Sequence, residues 1–206
     1  MTIYVSINGV LRDFWGKLHQ EYRKFYLESE STTEENFEYK INDVPTSEIM
    51  ERFTFQSIDE MNYFLYVDFP MEIFAHAAPV YKNVMSDLTK YVKQQKHYVE
   101  LVLVSQEYAK SIPSTLFFLS KLTCTANNIK FYQNDIDIEN LWEQCDVWIT
   151  DDPKVIEIKE AFPDSFGDKK LIKIKQDFNE QYNADITIEK LSDLILQNEQ
   201  QIEEHI

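Results

Sequence analysis

Glycine is nearly absent from this 206-residue chain: three occur, Gly9, Gly16 and Gly167, and no two lie close together. A phosphate loop or dinucleotide fingerprint needs several glycines within a few residues, so that backbone N–H groups can approach the phosphates. That route to nucleotide binding is excluded. Basic residues are scarce as well, 20 against 36 acidic, for a formal net charge of -16. Nucleic-acid binding draws much of its affinity from neutralising phosphates, so this balance argues against such a partner. The densest basic run, Lys90, Lys93 and Lys96, reads as one solvated helix face. Only two cysteines occur, Cys124 and Cys145, far apart and outside any C-x-x-C pair, which fits reduced thiols in a cytoplasmic setting. No apolar run approaches the roughly 20 residues of a membrane span, and residues 1–20 carry charges where an export signal would be apolar. The expectation is a soluble protein without a membrane partner. The four histidines, His19, His76, His97 and His205, lack metal-ligand spacing.

What the chain does contain is alternation. Residues 2–7 read as a strand closed by Asn8-Gly9, and Phe14, Leu18, Tyr22 and Phe25 mark one face of a helix over about 14–28. Residues 29–45 are polar and acidic. Ser57-x-x-Glu60 opens a short helix, Pro70 starts another, and Val80, Val84, Leu88 and Tyr91 give a longer one ending near Lys96. Strands are then predicted at 98–104, 129–132, 147–150 and 171–174, alternating with helices at 113–124, 138–144, 153–162 and 188–202. Short apolar strands between helices imply an α/β fold with a parallel sheet covered on both faces. The division expected is a core of residues 1–28 and 96–206 with a mostly helical insertion at 29–95. Residues 176–206 carry eight acidic residues against Lys190, and read either as a terminal helix with a solvated face or as a partner-docking helix.

Ligands in open parallel sheets bind beyond the carboxyl ends of the strands. Three such ends stand out: VSINGVLRDFW with Ser6 and Asn8, LVLVSQE with Ser105, and DVWITDDPKVIE with Asp151 and Asp152. In order and spacing they resemble the motifs of the haloacid dehalogenase (HAD) superfamily of phosphatases and nucleotidases, and the insertion resembles the helical cap of its 5′-deoxyribonucleotidase-like members. The resemblance implies a Rossmann-like core, a nucleophilic aspartate at position 6, an acid–base aspartate at position 8, a lysine before the 147–150 strand, and Mg²⁺ held partly by the acidic pair. Here serine and asparagine replace the two aspartates. A serine without an adjacent base is a weak nucleophile, and an asparagine amide cannot exchange the proton. Residues 132–138 contain no lysine, and Lys121 and Lys130 are expected in a helix and a strand away from the site. With the first carboxylate gone, Asp151 is the residual metal candidate, short of oxygen ligands.

The remaining residues have structural readings: Asp152 as the N-cap before Pro153, Ser105 bonded to loop backbone, Asn8-Gly9 as a tight turn, Arg12 paired with Asp151 or Asp13. The leading expectation is therefore a catalytically inactive HAD-like protein without a cofactor, acting through protein partners as a structural or assembly component. The aromatic load, 14 Phe, 12 Tyr and 3 Trp, much of it at Phe53–Tyr66, Phe69 and Phe74, suits an interface or the insertion's own core. The AT-rich composition suits a bacteriophage-encoded protein, in the host cytoplasm or the particle. The alternative is a residual Mg²⁺-dependent phosphatase or nucleotidase, or a phosphate binder, at Ser6, Asn8, Ser105 and Asp151.

Overall fold

The structure, a computed structural model, describes residues 1–28, 37–108 and 110–196. Most of the acidic run at 28–36, and residues 197–206 of the C-terminal acidic stretch, lie outside them. Six parallel strands form one sheet: β1 (Thr2–Ser6), β2 (Glu100–Gln106), β3 (Asn128–Tyr132), β4 (Val147–Thr150), β5 (Lys170–Ile174) and β6 (Ile186–Ile188), in the order β3-β2-β1-β4-β5-β6. β1 lies between β2 and β4, with Ile3 opposite both Leu101 and Val147. The chain order therefore reverses at β1, which opens a crevice above its carboxyl end.

Alternation along the strands divides the core into two layers. Ile3, Val5, Leu101, Leu103, Val147 and Ile149 face one side, where α4 (Val84–Gln94) and α5 (Ser111–Lys121) supply Val84, Leu88, Phe118 and Leu119. Tyr4, Val102, Val104 and Trp148 face the other, against α6 (Asp135–Gln144) and α7 (Pro153–Ala161) with Leu141, Trp142, Val155 and Ile156. Burial on both faces explains why the strands read as continuous apolar runs.

A third, aromatic cluster lies over the crevice. Phe14, Leu18 and Tyr22 of α1 (Phe14–Tyr22) pack there with Phe53, Phe55, Phe64, Leu65, Ile73 and Phe74. Its secondary structure is short: α2 (Ile49–Arg52), α3 (Ile58–Tyr63), and π-helical turns at Arg23–Leu27, Phe64–Asp68 and Met71–Ala75. Side chains of α1 thus pack in the aromatic cluster, and those of α4 against the sheet.

Two expectations about individual elements are corrected. Ile188 belongs to a sixth strand, with Ile186–Ile188 paired to β5, and the following helix begins at residue 192. The three-residue edge strand is too short to show a period. Val80 also precedes its helix; its N–H donates to Leu11 O and ties the β1 loop to the chain that returns toward the sheet.

Candidate functional site

The loop after β1 turns tightly. Ile7 O accepts from the N–H groups of Leu11 and Arg12, and Gly9, at φ +71°, donates to Arg12 O. Glycine is required there twice over, because the backbone is left-handed and a Cβ would collide with the Asp151 carboxyl. The turn carries Asn8 and Arg12 back over the strand ends.

Arg12 is the centre of the site. Its side chain is fully buried, and every nitrogen is engaged: Nε donates to Asn8 Oδ1 (2.8 Å), Nη2 to Asn8 Oδ1 and Glu107 Oε1 (2.7 Å), and Nη1 to Phe74 O (2.9 Å) and Thr115 Oγ1 (2.6 Å). The guanidinium also lies 5.0 Å from the Phe74 ring and 5.4 Å from that of Phe118. Burial lowers its pKa and the Glu107 carboxylate opposes that shift. Glu107 Oε1 accepts two further bonds, from Ser105 Oγ (3.0 Å) and Thr115 Oγ1 (2.7 Å), while Oε2 is buried without a partner among the described residues. Two expectations are corrected here. Arg12 pairs with Glu107 rather than Asp13 or Asp151, and Ser105 bonds a carboxylate rather than loop backbone. Asp13 instead caps α1 by accepting from Gly16 N.

Ser6 is held on the other side of β1. Its hydroxyl donates to Thr150 Oγ1 (2.8 Å) and accepts from Trp148 Nε1 (3.2 Å). No base touches it. Ser6, Asn8, Ser105, Asp151 and Asp152 do converge, all bordering one cavity of about 330 Å³ between the strand ends and the aromatic cluster. Its walls include Phe14, Trp15, Tyr66, Phe74, Tyr108 and Phe178.

Asp151 is buried, and its loop is fixed from below by Asn179 Nδ2, which donates to Asp151 O. Burial, with Asp152 adding to it, pushes the Asp151 carboxyl up to about 8. Asp152 accepts from Lys154 N (2.9 Å) as the N-cap of α7, and from Tyr132 OH (3.2 Å). Burial raises its pKa too, against those bonds.

Neither sequence candidate brings a lysine to the cavity. Lys121 Nζ donates to Ala75 O, and Lys130 Nζ donates to Tyr4 OH and Gln144. The donor set does not fit Mg²⁺. Ser6 and Asn8 offer no charge, Asn8 Oδ1 is held by Arg12, and among the described residues no three His, Cys, Asp or Glu side chains could share an ion. Glu107, Thr115, Trp148 and Thr150 had no role in the sequence reading. The one available signal was a charged residue, Glu107, directly after the end of β2.

Sheet order, crevice and covering segment together define a haloacid dehalogenase-like α/β fold. Solved structures carry the same likeness. A dehalogenase with an intermediate complex superposes with a TM-score of 0.54 at 10% identity, over 95% of this chain and 96% of that one. A haloacid dehalogenase-like hydrolase from Burkholderia xenovorans LB400 does so with a TM-score of 0.50 at 13% identity, over 94% and 97%. At these identities the likeness is one of fold. No family model and no curated protein matches the sequence.

Proposed function

We propose that this chain is a catalytically inactive HAD-like protein that acts through protein contacts, as a structural or assembly component. The observation that carries the reading is the saturation of Arg12. Arg12 spends all its donors on Asn8, Glu107, Thr115 and the Phe74 carbonyl, so it has none left for a phosphoryl oxygen. Ser6 supports it, since its hydroxyl proton is committed to Thr150 and its other partner is Trp148 Nε1, neither of them a base. Asn8, in the acid–base position, is locked through its carbonyl and carries no exchangeable acid proton.

A contact surface is available on α5. Leu116 and Phe117 are exposed, as is Met71, whose sulfur accepts from Ser114 Oγ on the same helix. Composition suits a bacteriophage-encoded particle component. The test of inactivity is a turnover assay with p-nitrophenyl phosphate and a panel of deoxynucleoside monophosphates in the presence of Mg²⁺. The expected result is no hydrolysis above the buffer rate. Turnover that disappears in Asp151→Ala would overturn the proposal.

A further inference from the structure

The cavity at the strand ends offers no unmatched charge to a guest. The Arg12 guanidinium is paired with Glu107, the Asp151 carboxyl accepts its own backbone N–H and stays protonated until about pH 8, and Asp152 is spent on Lys154 N and Tyr132. Glu48 and Lys154, opposite in sign, border it from exposed positions. We infer that this cavity takes a small uncharged molecule that presents a carbonyl oxygen to the Asn8 amide and the Tyr66 hydroxyl, its apolar body lying against the remaining walls.

Two unused donors carry this. Asn8 Oδ1 accepts from both Nε and Nη2 of Arg12, which fixes the amide and leaves Nδ2 as its free end; among the described residues Nδ2 donates to nothing. Tyr66 also borders the cavity, its ring 5.7 Å from that of Phe74 and 5.0 Å from that of Tyr108, and its hydroxyl has no hydrogen-bond partner among the described residues. Arg12 ties the two together, since it holds Asn8 and lies 5.0 Å from the Phe74 ring against which Tyr66 stacks. A neutral acceptor gains bonds from both groups, whereas an ion would shed its hydration without meeting an opposite charge. The rest of the wall suits an apolar body: Phe14, Ile49, Met50, Met61 and Val104 border the same space. A volume of about 330 Å³ fits a small molecule and not a peptide.

The inference rests on the reading of this cleft as catalytically silent. Hydrolysis of p-nitrophenyl phosphate would overturn that reading, whereas failure of ketone binding without hydrolysis overturns this inference alone. The test is an NMR titration of the intact chain at pH 7 with 2-acetylnaphthalene, 2-naphthoate, 2-naphthylmethylammonium and naphthalene, repeated on Asn8→Asp and Tyr66→Phe. Asn8→Asp keeps an oxygen for Arg12 and replaces the Nδ2 donor by an acceptor; Tyr66→Phe removes the hydroxyl alone. The ketone is expected to bind about tenfold or more tighter than either ion. Each variant should lose about fivefold or more in ketone affinity, with naphthalene, which has no acceptor, unaffected. Because the comparison of ketone with ions uses the unaltered protein, it does not depend on either variant folding. Either ion binding as tightly as the ketone, no saturable ketone binding at millimolar concentration, or ketone affinity untouched in both folded variants would each overturn the inference.

Discussion

Arg12 and Glu107 form an ion pair with no exposed surface on either side chain. Removing one partner strands the other in a medium that solvates it poorly. Glu107→Ala is expected to lower unfolding stability by about 3–5 kcal/mol, and the double variant Arg12→Met/Glu107→Leu to recover much of that loss. Urea unfolding of the three proteins measures both. Asp151 adds a pH dependence. An ordinary aspartate releases its proton near pH 4, whereas the buried one holds it until about 8. The folded chain therefore binds the extra proton in that window, and its stability falls as pH rises through it. Asp151→Asn removes this term, so its stability relative to the parent should grow by about 3 kcal/mol between pH 5.5 and pH 8. Unfolding curves at the two pH values test the sign. That Ser6, Asn8, Ser105 and Asp151 would meet at one cavity was legible because each ends or follows an apolar strand. The Arg12 partner was not, because pairing depends on which carboxylate is free. Asp13, adjacent in sequence, is spent as a helix cap, and Glu107, 95 residues away, is brought in by the pairing of β1 with β2.

Helix α7 begins where the sequence says it must, at Asp152-Pro153, an N-cap acceptor followed by a residue that needs no donor. Asp152→Ala should lower stability by about 1 kcal/mol, read from the same denaturant curves. A much larger loss would mean that the Tyr132 bond to Asp152 matters more than the cap. The central strands were legible from their apolar runs and lengths, and β4 was placed at its observed limits, Val147–Thr150. β6 was not, since three residues cannot distinguish a strand from the first turn of a helix. The π-helical turns were also hidden. Each is marked only by a wider bond, such as Phe69 N to Phe64 O or His76 N to Met71 O, and all three lie beside or within the aromatic cluster. Side-chain crowding there, between Phe25, Phe64 and Phe69 for example, is a property of the packed cluster and not of any local period.

The whole chain joins a two-layered α/β sheet to an aromatic cover, with a cavity at the strand ends between them. At the strand ends Arg12 and Glu107 engage Asn8, Ser105 and Thr115 in one buried network. No helix among the described residues is long and apolar enough to cross a membrane. The charge of -16 adds a further bias against anionic ligands, since the field around so acidic a chain repels them at low salt. Calorimetric titration of Mg²⁺ into the protein, in the presence of inorganic phosphate, tests the central claim most directly. The account predicts no saturable binding in the parent chain and no difference between it and Asp151→Ala. Saturable Mg²⁺ binding that is lost in Asp151→Ala would contradict it.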